Sequence, residues 1–375
     1  MSTTYQICTR CVLDTTAKDI SFDENGICNF CTDFIDRSAV ILNENSEEKE
    51  RKLKAFVEKV KKTGKGKRYN CIVGVSGGAD SSWTLVKAVE LGLKPLAVHM
   101  DNGWNSELAQ NNISNLVNKL GVDLYTHVID WSEYKQLMQA FFDADVIDVE
   151  LLYDNAMLAV NYSLASKYDI KYILSGSNQA TEGIYTPKDW NWYKLDKKNI
   201  KAIGKKFAGI KPKTFPFFST ADFIWHKFIK KTKWAAPLDL MEYNKAEAMN
   251  YMKEHFGYKL YPYKHYESVF TRFYQAYILP NKFNVDKRLL HLSTLIISGQ
   301  ISREEALERC KGIAYPTKED LENDKAYFLK KMGWKSDDLD KYLLRPEVLH
   351  SEYPTEKRIW DIIVKITSSL RKAFI

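Results

Sequence analysis

Long apolar runs are absent from this 375-residue sequence. The longest, such as residues 72–75 and 295–297, fall far short of the roughly 20 residues that a membrane-crossing helix requires, so no membrane span is expected. The start has no basic segment followed by an apolar one, so no secretory signal is read and the expected compartment is the cytoplasm. Cysteine is scarce after residue 31: of 6 in the chain, Cys71 and Cys310 alone lie beyond it, with core packing as their default role. A disulfide framework is set aside, because a reducing compartment favours metal binding by the clustered four. A disordered composition is lacking too: 45% of residues are hydrophobic and 27% charged, so the chain should fold, and its length allows two or three domains. Lys and Arg number 55 against 48 Asp and Glu, a net +7 that suits a phosphate-bearing ligand or RNA without proving either.

What is present begins with Cys8, Cys11, Cys28 and Cys31, two Cys-x-x-Cys pairs separated by residues 12–27. Each pair turns two thiolates toward one point, and two pairs supply the S4 shell of a closed structural zinc ribbon; iron is the alternative metal, and a redox role is the weaker reading. Apolar residues are few from 15 to 33, so this module, residues 1–36, needs its metal to fold. Residues 37–66 read as a charged connecting helix with Leu53, Phe56, Val57 and Val60 at helical spacing, broken by Gly64 and Gly66.

Residues 69–75 (YNCIVGV) have the β-branched, continuous apolar character of a strand buried on both faces. The turn Ser76, Gly77, Gly78, Ala79, Asp80, Ser81, Ser82 follows, then an apolar-periodic helix over 83–91. Adjacent glycines let the backbone approach a ligand, and N–H groups of the turn and helix start converge on an anion. The turn is neither a Walker A loop nor a Gly-x-Gly-x-x-Gly fingerprint. It resembles the PP-loop of the adenine nucleotide α-hydrolase-like ATP pyrophosphatases, which cleave ATP between the α and β phosphates. Strands over 94–100, 123–129 and 172–174 and a helix over 108–120 complete an α/β pattern, a doubly wound parallel sheet of Rossmann-like type spanning 67–185. Asp101, at a strand end, could meet ribose or metal, or cap the next helix. Gly176, Ser177 and Asn178 are nucleotide-binding candidates by the same resemblance, an ordinary turn being the bland reading.

Between residues 194 and 233 twelve lysines face Asp196 and Asp222 alone, among Trp190, Trp192, Trp225, His226, Phe228 and Trp234. This basic aromatic insertion, residues 186–236, has four readings: a nucleic-acid platform, a lid over a sugar nucleotide, a docking surface for an acidic partner, or a solvated lysine face over an aromatic core. A mainly helical region, 237–375, follows. Helical spacing puts Lys287 and His291 on one face.

The two cysteine pairs, Ser-Gly-Gly-x-Asp-Ser-Ser, the Asp-Asn-Gly-Trp turn at 101–104, the Gly-Ser-Asn turn at 176–178, the 265–275 string HYESVFTRFYQ, and Asp-Lys-Arg at 286–288 before His-Leu-Ser occur together. This combination resembles the N-acetyl sugar amidotransferases of bacterial surface-polysaccharide and nonulosonic-acid pathways, over roughly residues 5–345. The resemblance implies conversion of an acetamido group on a free or nucleotide-linked sugar to an acetamidino group. The acetamido oxygen would attack the α-phosphorus of ATP, and ammonia would displace AMP. It implies ATP and Mg²⁺, with Ser76, Gly77, Gly78, Asp80, Ser81 and Ser82 holding phosphate and Asp80 and Asp101 near the metal. Lys282, Lys287 and Arg288 become phosphate or carboxylate clamps, with solvated helix charge as the alternative; His265 and Glu267 become candidates for the proton that ammonia loses. No glutaminase nucleophile is legible, so a separate glutaminase and a cyclase-like channel subunit are the implied partners, and nucleic acid is not. A tRNA thiolase and a non-catalytic ATP sensor are the rival readings.

Overall fold

The computed structural model describes residues 4–261 and 266–373, and the side chains of these except 39, 40 and 367–373. Five strands form one parallel sheet in the order β3-β2-β1-β4-β5: β1 Cys71–Gly74, β2 Pro95–Asp101, β3 Asp123–Val128, β4 Tyr172–Leu174 and β5 Lys233–Ala235. The central β1 pairs Ile72 with Leu96 on one side and with Ile173 on the other. Burial follows from that position: β1 and β2 are buried on both faces, His99 of β2 included, whereas edge strand β3 alternates with exposed Asp123, Leu124, Thr126 and Val128. Strand order reverses between β1 and β4, and the crevice beyond their carboxyl ends is where such a sheet receives a ligand.

Helices α1 (Asn29–Leu42), α2 (Ser46–Thr63), α3 (Ala79–Glu90), α4 (Glu107–Leu120), α5 (Trp131–Asp143) and α6 (Leu151–Lys167) belong to this half. The connecting helix expected over 37–66 is two helices. Asn45 starts the second by accepting from Glu48 N–H, since a short polar side chain satisfies a helix-start donor best from a non-helical residue. The first begins at Asn29, inside the second cysteine pair. Ser106 caps α4, and Gly121, left-handed at φ 62°, ends it.

The basic aromatic segment does not stand apart from the sheet. It ends in β5, which pairs with β4 through Tyr172 and Lys233, and a three-residue strand leaves no periodic signature. Trp190, Phe215 and Phe218 are buried, and the Trp192 ring stacks on His350 at 5.1 Å. The carboxyl-terminal half is helical through 245–256, 269–283, 287–297, 303–310, 318–332, 336–344 and 357–373. Its core is continuous with that of the sheet, for Trp104 of the β2–α4 loop lies fully buried among Phe270, Phe328 and Trp131. No described helix is long and apolar enough to cross a membrane.

Candidate active site

The turn after β1 is shaped by contacts that tolerate no side chain. Gly77 sits at φ 85°, and a Cβ there would meet the backbone oxygen of Ala109 at 2.9 Å. Its carbonyl accepts from the hydroxyls of Tyr258 (2.9 Å) and Tyr261 (2.7 Å), which turns that oxygen away from any anion. Gly78 is the N-cap of α3 and offers no side-chain cap, so the N–H groups of the first helical turn remain for a ligand. The Ser76 and Ser81 hydroxyls lie 3.1 Å apart at the mouth of the turn. Across the switch point, Gly176 presses on the start of α3 so closely that a Cβ would lie 2.6 Å from Ser81 N.

Asp80, in the first turn of α3, is held from several sides. Tyr243 Oη donates to its Oδ1 at 2.6 Å, Lys245 Nζ lies 3.0 Å from Oδ2, and Asn178 and Thr181 donate at 3.4 Å. Burial opposes the charge on Lys245, yet Asp80, with Glu182 and Glu267 beyond it, outweighs burial and holds the lysine above its ordinary pKa. Lys245 is thus a permanent cation beside the turn, and Asp80 anchors it. Neither Tyr243 nor Lys245 was among the residues the sequence nominated.

A single cavity of about 860 Å³ extends from this turn. Ser76, Gly78, Asp80, Ser81, Gly176, Ser177 and Lys245 line one end. Asn178 caps the short helix Gln179–Glu182 and supports the end from behind; Ser82 is buried in α3, and its hydroxyl has no hydrogen-bond partner among the described residues. Glu267 reaches the same end because Asn105 and Ser268 form a β-bridge and Ser106 N–H donates to the Glu267 carbonyl at 2.9 Å. Its carboxylate would be 3.7 Å from a Cβ on Gly78. Asp101 spends its carboxylate on the turn that follows β2, accepting from Gly103 N–H (2.8 Å) and Asn105 Nδ2 (3.1 Å), and it does not cap the next helix, which Ser106 does. Met100, Tyr153, Met157, Met249 and Tyr261 add apolar and aromatic lining.

Lys287, Arg288, His291 and Arg309 line the far end, and they bring the charge expected of Lys287 and Arg288 onto the cavity wall. Arg288 is set by side-on pairing to Asp286, with contacts of 2.7 to 3.1 Å. Arg272 also lines the cavity; it forks onto buried Asp324, which accepts from Tyr315 as well. Lys282 corrects the sequence reading. Its ammonium is fully buried, paired with Asp145 at 3.0 Å and donating to the carbonyls of Tyr342 and Arg345, so it is no phosphate clamp. Burial pushes its pKa down even against that pairing. His265 lies outside the described residues.

Cys8, Cys11, Cys28 and Cys31 are fully buried and bring their sulfurs within 4.8 Å of one another. Cys8 and Cys31 are 3.8 Å apart, as are Cys11 and Cys28. A tetrahedron with Zn–S bonds of about 2.3 Å has edges of about 3.8 Å, so the donor set fits zinc. Backbone N–H groups of Arg10, Cys28 and Leu13 point at the sulfurs from 3.3 to 3.4 Å, which suits thiolates. The module is tied to the far end of the cavity: Arg303 donates to the carbonyls of Cys8 and Cys11, Ser293 accepts from Val12 N–H, and Val12 packs on Leu292, Leu295 and Ala306.

Residues 267–367 match the family model described as LPS biosynthesis protein WbpG-like, C-terminal domain. No curated protein sequence matches the chain. Among solved structures, it is similar to NMN synthetase from Francisella tularensis at 16% identity, covering 58% of this chain and 99% of that one, with a TM-score of 0.31. It is similar also to NH3-dependent NAD synthetase from Campylobacter jejuni subsp. jejuni NCTC 11168 at 14% identity, covering 69% and 98%, with a TM-score of 0.30. The fold is defined by the strand order and the turn after β1. The chain thus joins a segment that matches a WbpG-like carboxyl-terminal domain to a parallel sheet whose central strand ends in the serine-glycine turn.

Proposed function

We propose that the protein is an ATP-dependent amidotransferase that converts an acetamido group of a sugar or sugar nucleotide to an acetamidino group, releasing AMP and pyrophosphate. One observation supports this above the others: a single cavity joins the serine-glycine turn to cationic residues of the WbpG-like domain, so a nucleotide and an anionic sugar fit end to end. The first-turn N–H groups of α3, the Ser76 and Ser81 hydroxyls and Lys245 receive the β and γ phosphates. Magnesium, when bound with ATP, screens the triphosphate; Glu267 is the carboxylate next to the turn, whereas Asp80 is engaged by Lys245 and acts through it. Lys287 and Arg288 hold the sugar's acidic group at the far end, and the methionine and tyrosine wall excludes water from the activated intermediate.

The acetamido oxygen bonds to the α-phosphorus as the bond to pyrophosphate breaks, giving an O-adenylyl imidate. Ammonia adds to the imidate carbon, loses a proton to a nearby base and expels AMP, which carries away the acetamido oxygen. We assign that proton transfer to Glu267. A partner glutaminase supplies the ammonia. The test is product analysis with ATP, ammonium salt and a panel of acetamido sugars, free, UDP-linked and CMP-linked. AMP, pyrophosphate and amidine in equal amounts are expected; ADP and orthophosphate, or AMP without amidine, refute the proposal. Sulfur incorporation into tRNA is the outcome that would restore the thiolase reading.

A further inference from the structure

Two rows of large apolar side chains project into solvent from elements that touch each other. Trp225, Phe228 and Ile229, spaced i, i+3, i+4 on the helical stretch before β5, are 52%, 59% and 59% exposed. Ile359, Ile362 and Ile366, spaced i, i+3, i+7 on the helix Lys357–Ala373, are 57%, 58% and 56% exposed. The two elements meet where the Trp360 ring packs on Phe223 at 5.6 Å, and Lys227 sits over both Phe223 and Phe228. Single exposed apolar residues need no explanation, but six at helical spacing on adjoining elements do.

Their surroundings are basic. Lys227, Lys230, Lys231 and Lys233 flank the first row, and Lys357, Arg358 and Lys365, with Arg371 and Lys372 in the sequence beyond, accompany the second against Asp361. We propose that this composite face lies on an anionic membrane surface, with the aromatic and isoleucine side chains entering the headgroup boundary and the lysines meeting lipid phosphates. The charge selects this occupant. A second copy related by a two-fold axis would bring the same basic field against itself. The proposal is independent of the chemistry assigned to the cavity, since none of the six residues lines it.

The experiment is co-sedimentation of the full chain with phosphatidylcholine vesicles, with and without phosphatidylglycerol, at low and high salt. Binding that requires phosphatidylglycerol and weakens with salt is expected. Ile362→Glu and the double variant Phe228→Glu with Ile229→Glu should each weaken it about tenfold or more, because a carboxylate replaces inserted apolar area, with unchanged thermal unfolding. Lys230→Gln with Lys231→Gln should reduce both affinity and salt dependence. No vesicle binding, equal binding to neutral vesicles, or a dimer in sedimentation that Ile362→Glu dissociates would overturn the proposal.

Discussion

Gly176 and Lys245 are the residues on which the phosphate end depends most. A methyl group at position 176 has no space beside Ser81 N, so Gly176→Ala must push the turn from α3, at a cost of about 1–3 kcal/mol. ATP affinity measured by calorimetry is expected to fall at least tenfold. Lys245→Met removes the cation beside the phosphates together with its ion pair to Asp80; AMP formation is expected to drop about a hundredfold, with Lys245→Arg recovering part of it. His350 gives a residue-scale test of a different kind. Its Nε2 accepts from Asp148 N–H at 3.2 Å while Nδ1 faces the Asn199 amide oxygen at 2.8 Å, an arrangement that needs the neutral ring. Burial pushes its pKa down from 6.5 to about 3. The unfolded chain therefore takes up a proton that the folded chain refuses. The contribution to stability is complete above about pH 6.5 and fades by about 1.4 kcal/mol per pH unit as pH falls toward the folded value. Urea unfolding near pH 7 and near pH 5 should show a larger loss for the parent chain than for His350→Gln. Equal losses would show that His350 is not the group responsible. At this scale the serines and glycines of the turn were legible because they are contiguous, whereas Lys245 and Tyr243 reach Asp80 from more than 160 positions away and carry no local signal.

Among elements, the cysteine module bears most directly on the cavity. Its carbonyls are gripped by Arg303 and its Val12 sits on the helix that presents Lys287, Arg288 and His291. Metal removal by a chelator is expected to speed amide hydrogen exchange over residues 287–310 before it affects β1 or β2. Uniform exchange across the chain would contradict this coupling. Four of the five strands were legible as apolar runs bounded by turn residues. The fifth was not, because Lys233–Ala235 is short, lysine-flanked and defined by its pairing to β4 rather than by its own pattern. Pairing spaces of 3.8 Å between sulfurs show why the cysteine spacing was so informative: two short turns fix four ligands almost regardless of what lies between.

At the scale of the molecule, the sheet supplies one end of the cavity and the WbpG-like helices supply the other, joined by Glu267 and Arg272 near the start of that domain. Periodicity could mark those helices as amphipathic, but not which charged face turned inward; that required the bridge between Asn105 and Ser268, a pairing of distant segments. It could not separate Lys287 from Lys282 either, since one lines the cavity and the other is buried against Asp145. The joining of the two ends is what makes adenylation of a sugar amide, rather than simple ATP binding, the central claim. Isotope tracing tests it most directly: an acetamido sugar with heavy oxygen in the amide carbonyl is turned over with ATP and ammonia, and the AMP is analysed by mass. One heavy oxygen in each AMP and none in pyrophosphate is expected, whereas unlabelled AMP, or label retained in the sugar product, would rule out attack by the amide oxygen on the α-phosphorus.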